Sequence, residues 1–179
     1  MNTRLIILGT AVLAVIVGLL LYVRMQNAET TPVPITNTTT PAVTEQTINF
    51  KVLDQGIVAP GAKNRKNYAI YDPKELSSFW DIAHGKDGSK PPKVDFSHSY
   101  VMAVFAGTKP TSGYSITVAK IKEIDESRMV DIVISEPGEG CSLETNSTSP
   151  YQFIEVPYGN EISLSHADAV VKTPCPKTQ

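Results

Sequence analysis

Two cysteines, three histidines and one hydroxyl-rich loop are the residues whose types could do chemistry in this chain. Cys141 and Cys175 are the only cysteines among its 179 residues. In an oxidising compartment such a pair bridges; in a reducing one both stay inert thiols. A reactive thiolate at Cys141 would need a stabilising neighbour, and no His lies near it in sequence. The bridge is the expectation, and closing that loop stabilises a fold by about 4 kcal/mol on the chain-entropy argument. Because Cys175 lies in Thr173-Pro174-Cys175-Pro176, near the end of the sequence, the bridge would pin the last strand against fraying.

The histidines are scattered. His84, His98 and His166 form no H-x-x-x-H or H-E-x-x-H pair, the spacing that places two rings on one metal. His166-Ala167-Asp168 could orient an imidazole, but a triad also needs a placed nucleophile. His84 fits a helix C-terminus, where a cation is favoured. His98, in Phe96-Ser97-His98-Ser99, reads as an exposed turn residue. No G-x-S-x-G, P-loop or Cys-x-x-Cys occurs, and Asp125-Glu126 and Glu136/Glu139 read as turn charges rather than an acid–base pair. The expectation is a chain that is not an enzyme and holds no cofactor or metal.

That leaves the loop Gly107-Thr108-Lys109-Pro110-Thr111-Ser112-Gly113-Tyr114. Pro110 and Gly113 fix its turns, and Thr111 and Ser112 offer hydroxyls at the tip. A stiff loop with small polar groups and one aromatic is a contact surface in outline. Thr111, Ser112, Gly113 and Tyr114 are therefore the candidate partner-binding residues, with Pro137 to Cys141 and Ser149-Pro150-Tyr151 as candidate neighbours. The alternative is a well-made hairpin loop whose Tyr114 plugs the core.

The elements that must hold this loop follow from periodicity. Ile48 to Val52 alternates as a half-buried strand, and Tyr68 to Tyr71 reads as a short one. Asp72-Pro73-Lys74-Glu75 is the clearest helix start: an N-cap acceptor, a proline where its missing N–H is harmless, and an acid placed for a capping box. Leu76, Phe79, Trp80 and Ala83 then share one face and Gly85 stops the helix, giving about Pro73 to His84 with Phe79 and Trp80 on a sheet. Tyr100 to Ala106 is nearly all apolar, a central strand covered on both faces. Tyr114 to Ile124 changes register near Ala119, which suggests a bulge. Asp125 to Arg128 reads as a hairpin turn, and Met129 to Ser135 alternates again. Tyr151 to Val156, Ile162 to Leu164 and Ala169 to Val171 complete the set. The fold class expected is α+β, mostly antiparallel β, as one sheet or a two-sheet sandwich with one packed helix.

Ahead of this domain, Leu5 to Val23 carries no charge and is flanked by Arg4 and Arg24. About 20 such residues span a bilayer as a helix. The expectation is residues 1–4 as a cytoplasmic stub, 5–23 as a single transmembrane anchor and 24–47 as a Thr/Pro-rich linker. Residues 48–179 then form a domain outside the cytoplasm, on a plasma (inner) membrane. A cleaved signal peptide is the rival, but the apolar run is longer than a leader needs and its best cut, after Ala28, has Gln26 where a small residue is wanted. Asn37-Thr38-Thr39 and Asn146-Ser147-Thr148 match the glycosylation sequon. A net charge of −2 argues against nucleic acid as a partner, and the local excess at Lys63, Arg65 and Lys66 reads as a solvated loop.

From Tyr68 to Val156 the chain resembles the C-terminal domain of PrcB-type protease-complex subunits. The likeness lies in Tyr68-Ala69-Ile70-Tyr71 through Phe79-Trp80, Asp95-Phe96, the Gly107 to Tyr114 loop, and Pro137-Gly138-Glu139-Gly140-Cys141. It closes with Thr148-Ser149-Pro150-Tyr151 leading into Ile154-Glu155-Val156-Pro157. Ser112 stands where the first of two loop glycines is usual, a place where left-handed backbone suits Ser poorly. The resemblance implies an envelope-facing, non-catalytic accessory domain that docks another envelope protein, such as a protease. A fainter similarity, of Lys109 to Tyr114 to the Asn-Pro-Thr-Thr-Gly-Tyr loop of chagasin-type inhibitors, implies the alternative of a protease inhibitor acting through that loop.

Overall fold

The computed structural model describes residues 45–159 and 163–175. The stub, the anchor and the linker up to residue 44 lie outside the described residues. Among the described residues no helix is long and apolar enough to cross a membrane.

Among the described residues eight strands and one helix follow in the order β1 (Glu45–Ile48), β2 (Lys51–Gly56), β3 (Arg65–Ile70), α1 (Pro73–His84), β4 (Ser99–Ala106), β5 (Ser115–Ile124), β6 (Ser127–Pro137), β7 (Tyr151–Pro157) and β8 (Ser163–Thr173). They form two four-stranded sheets, ordered β1-β5-β6-β8 and β2-β7-β4-β3. The stretch expected to be one strand from Ile48 to Val52 is two, because at Asn49-Phe50 the chain leaves one sheet and enters the other. The two short pieces expected near the C-terminus are one continuous β8. It pairs with β6 in parallel, while every other strand pair is antiparallel. A strand's direction relative to its neighbour is set by where the chain returns, which local alternation does not encode.

Strand β4 lies between two cores. Tyr100, Met102, Val104 and Ala106 face the other sheet and pack with Ile116, Val118, Ile121, Val130, Ile132, Ile134, Ile154 and Val156. Val101, Ala103 and Phe105 face the helix and pack with Ile70, Leu76, Trp80, Ala83 and Phe153. The layers are therefore sheet, sheet and helix. Helix α1 begins as its sequence dictates: the Asp72 carboxylate accepts from the N–H groups of Lys74 and Glu75 at 2.8 and 2.9 Å. Glu75 reaches back to the N–H of Tyr71, one residue beyond the N-cap that is the usual capping-box partner.

The register change expected near Ala119 is present, between Val118 and Lys120. The Val118 N–H donates instead to Gln152 Oε1 of the opposite sheet at 2.7 Å. Gln152 is buried, and its amide donates to Gln55 Oε1 at 3.0 Å, so one polar side chain satisfies the bulge across an apolar core.

Arg128, read as a turn residue, is instead fully buried at the start of β6. The turn is made by Asp125, whose φ of 54° is left-handed, and Glu126. Inward-facing alternation then carries Arg128 between the sheets. Its guanidinium donates to Glu123 Oε2 at 2.8 Å, to the Pro157 carbonyl at 3.0 Å and to the Tyr100 hydroxyl at 3.3 Å.

Two outcomes follow for stability. Replacing Arg128 with Met removes the guanidinium from the half-buried Glu123 carboxylate, the Pro157 carbonyl and the Tyr100 hydroxyl and costs about 3 kcal/mol in urea melts, whereas adding Glu123→Leu recovers part of the loss. The Cys141–Cys175 disulfide is present in the fold. With its ends 34 positions apart, Cys141→Ser/Cys175→Ser lowers unfolding free energy by about 4 kcal/mol, and reduced wild type melts with the variant.

Candidate functional site

The loop after β4 is fastened to the segment that precedes β7. Lys109 and Thr148 exchange both backbone hydrogen bonds, at 2.7 and 3.0 Å. The Ser147 hydroxyl donates to the Lys109 carbonyl at 3.0 Å and the Thr148 hydroxyl to the Thr111 carbonyl at 2.9 Å. Ser112 closes the far end: its N–H donates to the Glu144 carbonyl and its Oγ accepts from the Glu144 N–H, both at 3.1 Å. Gly113 carries the left-handed turn at φ +87°, and a Cβ there would lie 3.2 Å from Pro137 and 3.3 Å from Leu143. Ser112 keeps an ordinary backbone, so the missing glycine there brings no strain.

Two loops therefore make one platform beside the disulfide. Thr108, Pro110 and Gly113 are exposed on it, and Thr111, Ser112 and Tyr114 are half-buried. The Thr111 and Ser112 hydroxyls already serve the platform: Thr111 Oγ1 donates to the Ser112 carbonyl at 3.1 Å. The Lys109 ammonium stands 5.4 Å from the centre of the Tyr114 ring. Pro137 is a direct neighbour through Gly113. Ser149, Pro150 and Tyr151 are not part of this surface, because all three are buried. Ser149 Oγ accepts from the Ala59 N–H and donates to its carbonyl, both at 2.8 Å.

Tyr151 points to the helix side, into a polar cluster that sequence spacing does not reveal. Its hydroxyl lies 2.9 Å from Asp54 Oδ2 and 3.1 Å from His84 Nε2. His84 Nε2 is 2.9 Å from the same carboxylate oxygen, and its Nδ1 meets the Trp80 carbonyl at 3.0 Å. His84 does close the last turn of α1, as expected, and also ties that turn to β2. The imidazole stacks on Trp80 with centroids 4.5 Å apart. Gly56 leaves room for the phenol, since a Cβ there would stand 2.7 Å from the ring. Burial, then the hydrogen bond and charge of Asp54, raise the Tyr151 phenol well above its ordinary range.

The remaining histidines make no relay. Asp95, Ser97 and His98 meet on one exposed turn, but both partners of His98 approach the same nitrogen, Nδ1. A relay needs the acid on one ring nitrogen and the hydroxyl on the other. Hydrogen bonds from Ser97, then His98, hold the Asp95 carboxyl down at about 2. Asp168 does not orient His166; it takes a bidentate pair from Arg65 at 2.7 and 2.9 Å. That pair spans β3 and β8 at the lip of a groove of about 340 Å³ lined by Asn67, Met102, Leu164 and His166. Among the described residues no cluster of three or more His, Cys, Asp or Glu is placed to hold a metal ion.

Comparison with known families bears on the platform. Residues 100–157 match the family described as PrcB C-terminal. The match runs from β4 through β7, so it contains both platform loops and agrees with the resemblance read from the sequence over those residues. The strand and helix from Tyr68 to Trp80, which share in that resemblance, precede the matched segment. No curated protein and no solved structure matches the chain.

A phenol whose folded pKa is raised contributes stability that is fully present below about pH 10, its unfolded value, and is lost as pH climbs toward the folded value. Tyr151→Phe should cost about 1–3 kcal/mol at neutral pH. The gap to wild type should hold steady from about pH 7 to 9 and narrow above about pH 10 in urea melts.

Proposed function

We propose that this chain is a non-catalytic accessory domain of a surface protease complex. In this reading Leu5 to Val23 anchors it in the plasma (inner) membrane, and the domain docks another envelope protein, a protease, outside the cytoplasm. The observation that carries the reading is the family match, which spans both platform loops. Two features support it. The Cys141–Cys175 bridge suits an oxidising compartment. The loop pair is hydrogen-bonded end to end, so docking would order little backbone, and a preorganised surface keeps more of its interaction energy.

On this reading the contact residues are the exposed Pro110 and Gly113 with the half-buried Thr111, Ser112 and Tyr114. Tyr114 serves as the anchor, since an aromatic set in a rigid frame is the usual centre of a protein contact. Thr111 and Ser112 act by holding the tip in shape.

The test is crosslinking and capture from intact membranes. Wild type should bring down a protease, and Pro110→Arg, which changes only an exposed tip, should lower capture by about tenfold at unchanged melting temperature. Thr111→Ala/Ser112→Ala should do the same by loosening the tip. Equal capture by all three chains would remove the platform from the reading. Adding purified chain to the captured protease separates accessory from inhibitor: turnover is unchanged in the first case and falls stoichiometrically in the second.

A further inference from the structure

Strand β8 ends its sheet, and among the described residues nothing pairs with its outer edge. It runs 11 residues in unbroken register against β6, with no bulge. It contains no proline, and its single acid, Asp168, is already met by Arg65. Proline, a bulge and a short length, three of the devices that usually protect a strand edge, are therefore absent, and Lys172 is the one exposed lysine on it. Three large apolar side chains stand exposed on it: Leu164 at 42%, Val170 at 59% and Val171 at 39%.

The backbone direction of each residue follows from two bonds at the ends. The Ser163 N–H reaches Glu126, and the Thr173 carbonyl accepts from Gly138, both on the β6 side. In a strand, the N–H and C=O of one residue point the same way and successive residues alternate. Odd-numbered residues of β8 therefore bond inward, and Leu164, His166, Asp168, Val170 and Lys172 turn their backbone groups to the open edge.

We propose that this edge joins a second copy of the chain, antiparallel, about a two-fold axis at Ala167. In this register Leu164 faces Val170, and His166 faces Asp168, each twice by symmetry. Ser165 lies beside Ala169, and Ala167 meets itself. Apolar meets apolar, an imidazole meets the carboxylate that Arg65 also holds, and small residues meet on the other face. Shifting the axis to residue 166 puts His on His and Leu164 on Asp168. Shifting it to 168 puts Asp on Asp, and to 169 puts His166 against Lys172. Isologous contact demands such self-complementarity, and cross-strand pairs decide register. The product is one eight-stranded sheet shared by two protomers.

Directions of the backbone groups make Ala167 with Ala167 a non-hydrogen-bonded pair, with Cα atoms about 4.5 Å apart, within the reach of a disulfide. The test uses the full chain in detergent micelles under mild oxidation, with linked peptides mapped by mass spectrometry. Ala167→Cys should give a dimer joined at 167. Ser165→Cys alone and Ala169→Cys alone should not crosslink, since equivalent positions are then about 13 Å apart along the strands. Mixing those two variants should link 165 to 169. Wild-type sedimentation, which needs no substitution, should report two chains per particle. A monomeric wild type, a 167 variant that does not crosslink or links only to another polypeptide, or equal crosslinking at all three positions would each overturn the proposal.

Discussion

The burial of β4 on both faces is the constraint from which the rest of the structure follows. A strand has two sides, and a sheet that buries both must find two partners. Here one side of Tyr100–Ala106 takes the second sheet and the other takes α1. With β4 and β7 paired at the centre, the connections that leave their ends have little freedom. The loop after Ala106 and the segment before Tyr151 depart from neighbouring strands at the same end of the sheet. They meet because of that, and their hydrogen bonds then fix them. The platform is thus a consequence of which two strands sit in the middle.

Two polar groups are enclosed by this arrangement, and each is answered by a group from the opposite sheet. Gln152 accepts from the bulged Val118. Arg128, closed off from solvent, donates from both terminal nitrogens to Glu123, Pro157 and Tyr100. Apolar packing alone tolerates sliding of one sheet over the other, because the contacts are non-directional. These bonds are directional, and an unmet buried donor is costly. They set how the two sheets sit on each other in the same way that the helix clasp of Asp54, His84 and Tyr151 sets α1 on the sheet.

Legibility in the sequence divides along this line. The helix was readable to its ends because Asp72, Pro73 and Gly85 act on their immediate neighbours. Strand β4 was readable from its unbroken apolar run, and the bulge from a change of period at Ala119. The pairing of β8 with β6, the switch of sheets at Asn49-Phe50 and the burial of Arg128 were not, since each depends on residues distant in the chain. A charged residue after a turn reads as solvated unless its partner is known, and Glu123 declares nothing by itself. The candidate loop was visible through Pro110 and Gly113. What its hydroxyls do was hidden in Glu144 and Thr148, more than thirty residues on. Ser149, Pro150 and Tyr151 resembled surface residues only because small polar residues and prolines usually lie there; two hydrogen bonds to Ala59 account for the buried serine.

The two faces of interest are built by opposite means. The platform spends the Thr111, Ser112 and Thr148 hydroxyls and much of its backbone internally, so a partner meets a firm shape, and on the proposed reading specificity comes from fit around Pro110 and Tyr114. Among the described residues the outward backbone groups of β8 are unpaired: five residues offer them in a fixed direction, and side chains choose among registers. Backbone pairing is strong but indifferent to sequence, so an edge of this kind discriminates only through what stands opposite what. In β8 the order Leu-Ser-His-Ala-Asp-Ala-Val reads as a near-mirror about Ala167, with the basic residue on one side of the axis and the acid on the other. A pairing of two copies about Ala167 uses that symmetry at the 164/170, 165/169 and 166/168 pairs, and it ends at Ser163, which would face Val171.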